Sequence, residues 1–155
     1  MSYHIEDEPR PGALQAVAVR PFWPLLGVML GGAWLAWPWF VLNSVAVGSP
    51  TLKRELAWAA GGFAGSAALI VGILHLHLNG LLAEPALPYA LLALTVWKLL
   101  VSYRLFVLQS RTFELYEYFG GEVKNGMLVV LAALFFARQA LLTNLPSDFL
   151  VLLLQ

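Results

Sequence analysis

The chain has 155 residues, of which 60% are hydrophobic and only 12% charged, where soluble domains carry about a quarter charged residues; its mean hydropathy is +0.75. Nine basic and nine acidic residues cancel, so no basic surface exists to neutralise a phosphate backbone, and nucleic acid is excluded as an expected partner. With no cysteine, disulfides, thiolate metal sites and a cysteine nucleophile are excluded as well.

This is the composition of an all-α integral membrane protein. Residues 1–20 read as a polar N-terminal tail. Its acidic cluster, Glu6, Asp7 and Glu8, replaces the basic region and short apolar core of a signal peptide, so the tail is expected to be retained. Residues 12–19 are mildly apolar, and they either lie at the bilayer interface or share the disorder expected of the tail.

Residues 21–142 form the expected membrane domain, a four-transmembrane-helix bundle. A crossing helix needs about 20 apolar residues, and four segments qualify: 21–47, 56–82, 88–108 and 126–142. The connections GSPTLKRE and AEPALP are brief and carry Gly, Ser and Pro as breakers.

The first segment holds Trp23, Trp34, Trp37 and Trp39, rings that suit the headgroup level, so that residues 34–39 would mark an interfacial belt. Its GVMLG places Gly27 and Gly31 on one face, where small residues let membrane helices approach closely. Bent at Pro24 and Pro38, the same segment would instead dip into the bilayer and return. The second segment has the matching GGFAG, with Gly61 and Gly65 beside Ala60, Ala64 and Ala68. Packing of these two stripes within one chain is the first expectation, and a homo-oligomer seam is the second.

His75 and His77, in GILHLHLNG, are two residues apart, about 200° around a helix, so they cannot chelate one metal as an i, i+4 pair does. They read as interfacial side chains bonding water or a neighbouring helix. A metal or haem ligand shared with a second chain, or a proton relay, are the sharper alternatives.

The third segment contains Lys98 and Arg104 within TVWKLLVSYRLFVLQSRTFELYEYFGG. Arg104 falls near the end of its span, where the stem lies along lipid and the guanidinium reaches headgroups. Lys98 is central, where a charge costs about 3 kcal/mol on insertion scales. Arg138, in the fourth segment, is comparably deep. Both snorkel if their helices are tilted; otherwise they belong to an internal polar cluster or to a substrate or lipid site. Beyond residue 108 the pattern stays helical up to Gly120 and Gly121, giving a surface helical extension after helix three. Arg104, Arg111, Glu114, Tyr116 and Glu117 on it form either a stiffened loop or a platform for a partner.

Residues 143–155 form a short apolar C-terminal segment after Pro146, too short to cross; they lie on the bilayer, dock to a partner, or continue helix four through a kink. Lys53 and Arg54 in the first loop, and Arg111 and Lys124 in the third, place both loops in the cytoplasm. Four spans would then leave both termini outside, against which Arg10 and Arg20 count; the dipping first segment would put the N-terminus inside.

No GxSxG elbow, HExxH, phosphate loop or paired-acid signature is present, so no enzyme, cofactor or metal is expected. The favoured function is a non-catalytic integral membrane subunit or regulator in the plasma (inner) membrane, with the lipid bilayer and other membrane proteins or a homo-oligomer as partners. The alternative is a small oligomeric transporter or channel for an anionic solute.

Overall fold

The structure, a computed structural model, describes residue 9, residues 12–132 and residue 135. Arg138, most of the fourth apolar segment, the acidic cluster and the C-terminal segment lie outside the described residues. Four α-helices make up the framework: α1 (Phe22–Gly31), α2 (Ala33–Val47), α3 (Leu52–Leu78) and α4 (Leu87–Tyr118). Short 3-10 turns occupy Gln15–Val17 and Glu84–Ala86, and the chain is helical again from residue 127.

The first apolar segment is not one crossing helix. At Gly32 the backbone has φ 89° and ψ 166°, a conformation that essentially only glycine adopts, and the chain turns back. A Cβ on Gly27 would stand 3.8 Å from the Cβ of Ala36, whereas residues nine apart in a straight helix are separated by about 13 Å. α1 and α2 therefore form a helical hairpin. With 10 and 15 residues they reach about 15 and 22 Å, short of the roughly 30 Å of hydrocarbon. The sequence places the bend at prolines, yet neither proline makes it. Pro24 lies in the first turn of α1, where its missing N–H costs nothing, and Pro38 sits inside α2 without ending it.

Among the described residues two helices, α3 and α4, are long and apolar enough to cross a membrane. They run antiparallel, joined by residues 79–86. The inward stripe of α4 follows steps of three and four through Leu94, Lys98, Val101, Leu105, Gln109, Thr112 and Tyr116, the spacing of one helix face. α2 packs into the groove between α3 and α4. Trp37 and Phe40 of α2 are wholly buried against Val101 and Leu105 of α4 and Ala59 of α3, and the Trp37 Nε1–H donates to Ser102 Oγ at 2.9 Å. The tryptophans of residues 34–39 thus do not form an interfacial belt: Trp37 is fully buried and Trp39 nearly so.

The hairpin returns the chain to the end where it entered. Val19 bridges Lys124, Arg20 pairs with Glu117 at 3.1 Å, and Ser49 meets Thr112, so Arg20, Lys53, Arg54, Arg111 and Lys124 share one end of the bundle. The opposite end, residues 79–86, carries no Lys or Arg. α4 is unbroken through Tyr118, as the extension after residue 108 requires, but its inner side is packed rather than free. Phe113 and Tyr116 are buried with Ala18, Ala46 and Val47.

Candidate functional site

Two groups of buried polar side chains stand out, one at the basic end and one at mid-depth. The first centres on Glu55, which is fully buried in the first turn of α3, where the helix dipole favours a carboxylate. The α2–α3 turn supplies Ser49 Oγ at 2.6 Å and Thr51 Oγ1 at 2.5 Å to Oε1. Ser44 of α2 and Gln109 of α4 donate to Oε2, the latter at 2.8 Å. Four donors thus meet the four lone-pair sites of a carboxylate. The second Gln109 N–H is left for the Phe40 carbonyl, the position whose i+4 helical neighbour is Ser44. The cluster ties α2, α3 and α4 together without any basic partner among the described residues. Beside it, Asn43 of α2 reads the backbone of Val19 like a strand partner: Oδ1 accepts from Val19 N–H at 3.2 Å and Nδ2 donates to its carbonyl at 2.7 Å.

The second group surrounds Lys98. It lies on the inward stripe of α4, half-buried, at the closed tip of the α1–α2 hairpin. On one side a cleft of about 210 Å³ is bounded by Val28, Met29, Gly32 and Thr95. On the other, a cleft of about 200 Å³ is lined by Ala33, Trp34, Trp37, Phe63, Ser66 and Ile70. The buried Trp34 Nε1 and Ser66 Oγ have no hydrogen-bond partner among the described residues, and both line this second cleft with Lys98. α2 begins here, at Ala33, with no side chain capping its first N–H groups.

The other expected residues are dispersed. His75 is exposed, its neighbour Asn79 bonding its carbonyl at 2.7 Å; His77 Nδ1 is buried without a partner among the described residues. Neither histidine lines a cleft around Lys98, and among the described residues no three His, Asp or Glu side chains are grouped for a metal ion. Arg104 stacks its guanidinium 5.4 Å from the Trp58 ring centroid, a cation–π contact on the outer side of α3 and α4. Arg111 and Glu114 are exposed, Glu117 holds Arg20, and Tyr116 is a core residue rather than part of a platform.

The glycines divide as well. Gly27 packs on Ala36 and Trp39 inside the hairpin, and Gly31 is the last residue of α1. Gly65 is covered by the Trp97 indole, and a Cβ on its neighbour Gly62 would come within 2.8 Å of Val101. Around Gly61 there is open space, so the internal contact of α3 runs through Gly62 and Gly65, not Gly61.

Glu55, Gln109 and Ser66 were not singled out by sequence pattern, and Trp34 was read only as part of an interfacial belt. Glu55 sits beside Lys53 and Arg54 and looks like one more loop charge, and Gln109 interrupts an apolar run. A signal for Glu55 alone was the Ser-Pro-Thr-x-x-x-Glu order of residues 49–55, hydroxyls just ahead of a helix whose first turn carries an acid; nothing local pointed to Gln109. Comparison with family models, with curated proteins and with solved structures gave no match.

Proposed function

We propose that the chain is a non-catalytic integral membrane subunit or regulator, anchored by α3 and α4 as crossing helices with the α1–α2 hairpin re-entering between them. The observation that carries this reading is the outer face of α3. Ala57, Gly61, Ala64 and Ala68 follow helical steps of four, three and four, all exposed, with open space around Gly61. Lipid tails gain nothing from a smooth face, whereas another helix packs closely against it. The partner is another membrane protein or a second copy of the chain.

The distribution of basic residues supports a cytoplasmic basic end. Because the hairpin brings Arg20 to that end, the N-terminal segment falls in the cytoplasm, and the arginine that counts against four spans with outer termini now agrees with the rule. The inner membrane of a cell is the expected location.

Gly61→Leu tests the assembly reading. It should leave folding intact, since no described residue lies within 4 Å of a Cβ at that position, but abolish co-purification of the partner or of a tagged second copy after mild detergent extraction. Gly65→Leu should instead lower the folded yield by driving a branched side chain into Trp97. Unchanged assembly in Gly61→Leu sinks the proposed face. For topology, single cysteines at Gly12, Pro50 and Lys124 should react with an impermeant reagent only from the cytoplasmic side, and one at Ala83 only from outside; outside labelling of Gly12→Cys would restore an external N-terminus.

A second reading, an oligomeric transporter or channel for an anionic solute, is favoured by the position of Lys98 at the break between two half-length helices, the setting in which transporters expose helix ends to charged solutes.

A further inference from the structure

We propose that the cleft between α2, α3 and α4 binds the carboxylate of an apolar amphiphile, a hydrocarbon-chain acid held at mid-bilayer depth. The inference rests on the reading of α3 and α4 as membrane-crossing helices and goes beyond both functional readings, neither of which requires a bound amphiphile.

Three side chains that line this cleft carry donors, and the described residues offer the buried Trp34 and Ser66 donors no acceptor. Lys98 comes from the inward stripe of α4, the Trp34 indole N–H from the first turn of α2, and the Ser66 hydroxyl from α3, where the residue is only 8% exposed. Buried donors of this kind are ordinarily satisfied, and each one left without a partner is destabilising. Elsewhere in the same core the chain does satisfy them: Trp37 Nε1 finds Ser102, and Trp97 Nε1 finds the Gly62 carbonyl at 3.2 Å. The uncapped N-terminus of α2 adds backbone N–H groups and a favourable dipole for negative charge. A group that accepts from all of them has two or more oxygens and a negative charge.

The remainder of the lining decides what carries that group. Trp37, Phe63, Ala67 and Ile70 are apolar, so a free inorganic anion would gain nothing from most of the wall. Depth excludes the phosphate of an ordinary bilayer lipid. Ser66 is near the midpoint of Leu52–Leu78, about 15 Å from where headgroups lie. A single charge on one hydrocarbon chain matches one lysine, and its tail continues along the apolar wall into the bilayer.

The test uses the full chain in nanodiscs of zwitterionic lipid, with undecanoate brominated at carbons 6 and 7 as the probe and undecanol brominated at the same carbons as its uncharged control. Because Trp34 and Trp37 line the cleft, bromine there quenches their fluorescence. Undecanoate should quench saturably and bind on the order of tenfold or more tightly than the alcohol, the worth of a charge-assisted hydrogen bond. Lys98→Met should erase that preference and Ser66→Ala should reduce it. If Lys98→Met fails to fold, the comparison of acid with alcohol in the unaltered protein and in Ser66→Ala decides alone. Equal binding of acid and alcohol, a preference that survives Lys98→Met, or quenching that never saturates overturns the proposal. Displacement of the probe by chloride or phosphate as readily as by unbrominated undecanoate would show a site for inorganic anions instead. Displacement by added phosphatidylglycerol alone would show a phospholipid site. Either outcome also overturns it.

Discussion

The basic end and the hairpin tip handle buried polar groups in opposite ways. At the basic end a carboxylate with no basic partner among the described residues is enclosed by four donors from three elements, and its acceptor sites are filled. At the tip, Ser66 and Trp34 are buried beside Lys98 with no acceptor in reach among the described residues. The first arrangement spends its hydrogen bonds on joining helices, with Gln109 Oε1 alone left without a partner among its described members; the second keeps two donors unmatched in the wall of a cleft. Burial of polar groups in a membrane-type core therefore has two meanings, and the hydrogen-bond count distinguishes them.

The largest expected effect comes from breaking the closed cluster. Glu55→Leu would leave Ser44, Ser49, Thr51 and Gln109 without their shared acceptor, with only one another and the Phe40 carbonyl to bond, and should cost about 3 kcal/mol, the upper range for buried donors deprived of a partner. Thermal unfolding in detergent measures it, and a variant within 1 °C of the parent would mean the cluster does not hold the helices. Next comes the turn that shapes the open site. Gly32→Ala forces a side chain onto a backbone at φ 89° and should cost about 1–3 kcal/mol, read in the same assay; no loss would show that the hairpin turn relaxes easily. Smaller again is Ser44→Ala, which removes one of four donors while Gln109 still reaches Oε2, for about 1 kcal/mol. The smallest effect is expected at the tip. Ser66→Ala, without added amphiphile, should be neutral or slightly stabilising because it deletes a buried hydroxyl that has nothing to bond. A clear destabilisation there would erase the contrast between the two regions.

Much of this was legible in the sequence, for reasons that are local. Hydropathy located α3 and α4, whose apolar length is a sum over residues, but it set the second segment at 56–82 where α3 runs Leu52–Leu78: residues 52–55 of the expected loop open the helix, and Asn79 and Gly80, taken as part of the span, end it. The fold-back at Gly32 was hidden because an apolar run reads the same whether it crosses or returns; Gly31 and Gly32 looked like packing residues, and the prolines like the bend. Gly61 and Gly65 are equal in a spacing motif, and only the neighbouring Trp97 separates them. The inward position of Lys98 was recoverable from its place in the stripe running from Leu94 to Tyr116. That of Glu55 was only hinted at by the hydroxyls of residues 49 and 51, because the donor that completes its cluster, Gln109, lies 54 residues away.

One contact described above bears on how the molecule is made. Arg20 and Glu117 are 97 positions apart, and Ala18 receives its backbone hydrogen bond from Lys124. At synthesis rates of about 5–20 residues per second, Glu117 and Lys124 emerge roughly 5–20 s after residues 18–20 do. Asn43, only 24 residues beyond Val19, is available to bond it much sooner. During that interval the open end of the hairpin is held from α2 alone, and the emergence of residues 117–124 completes the closure.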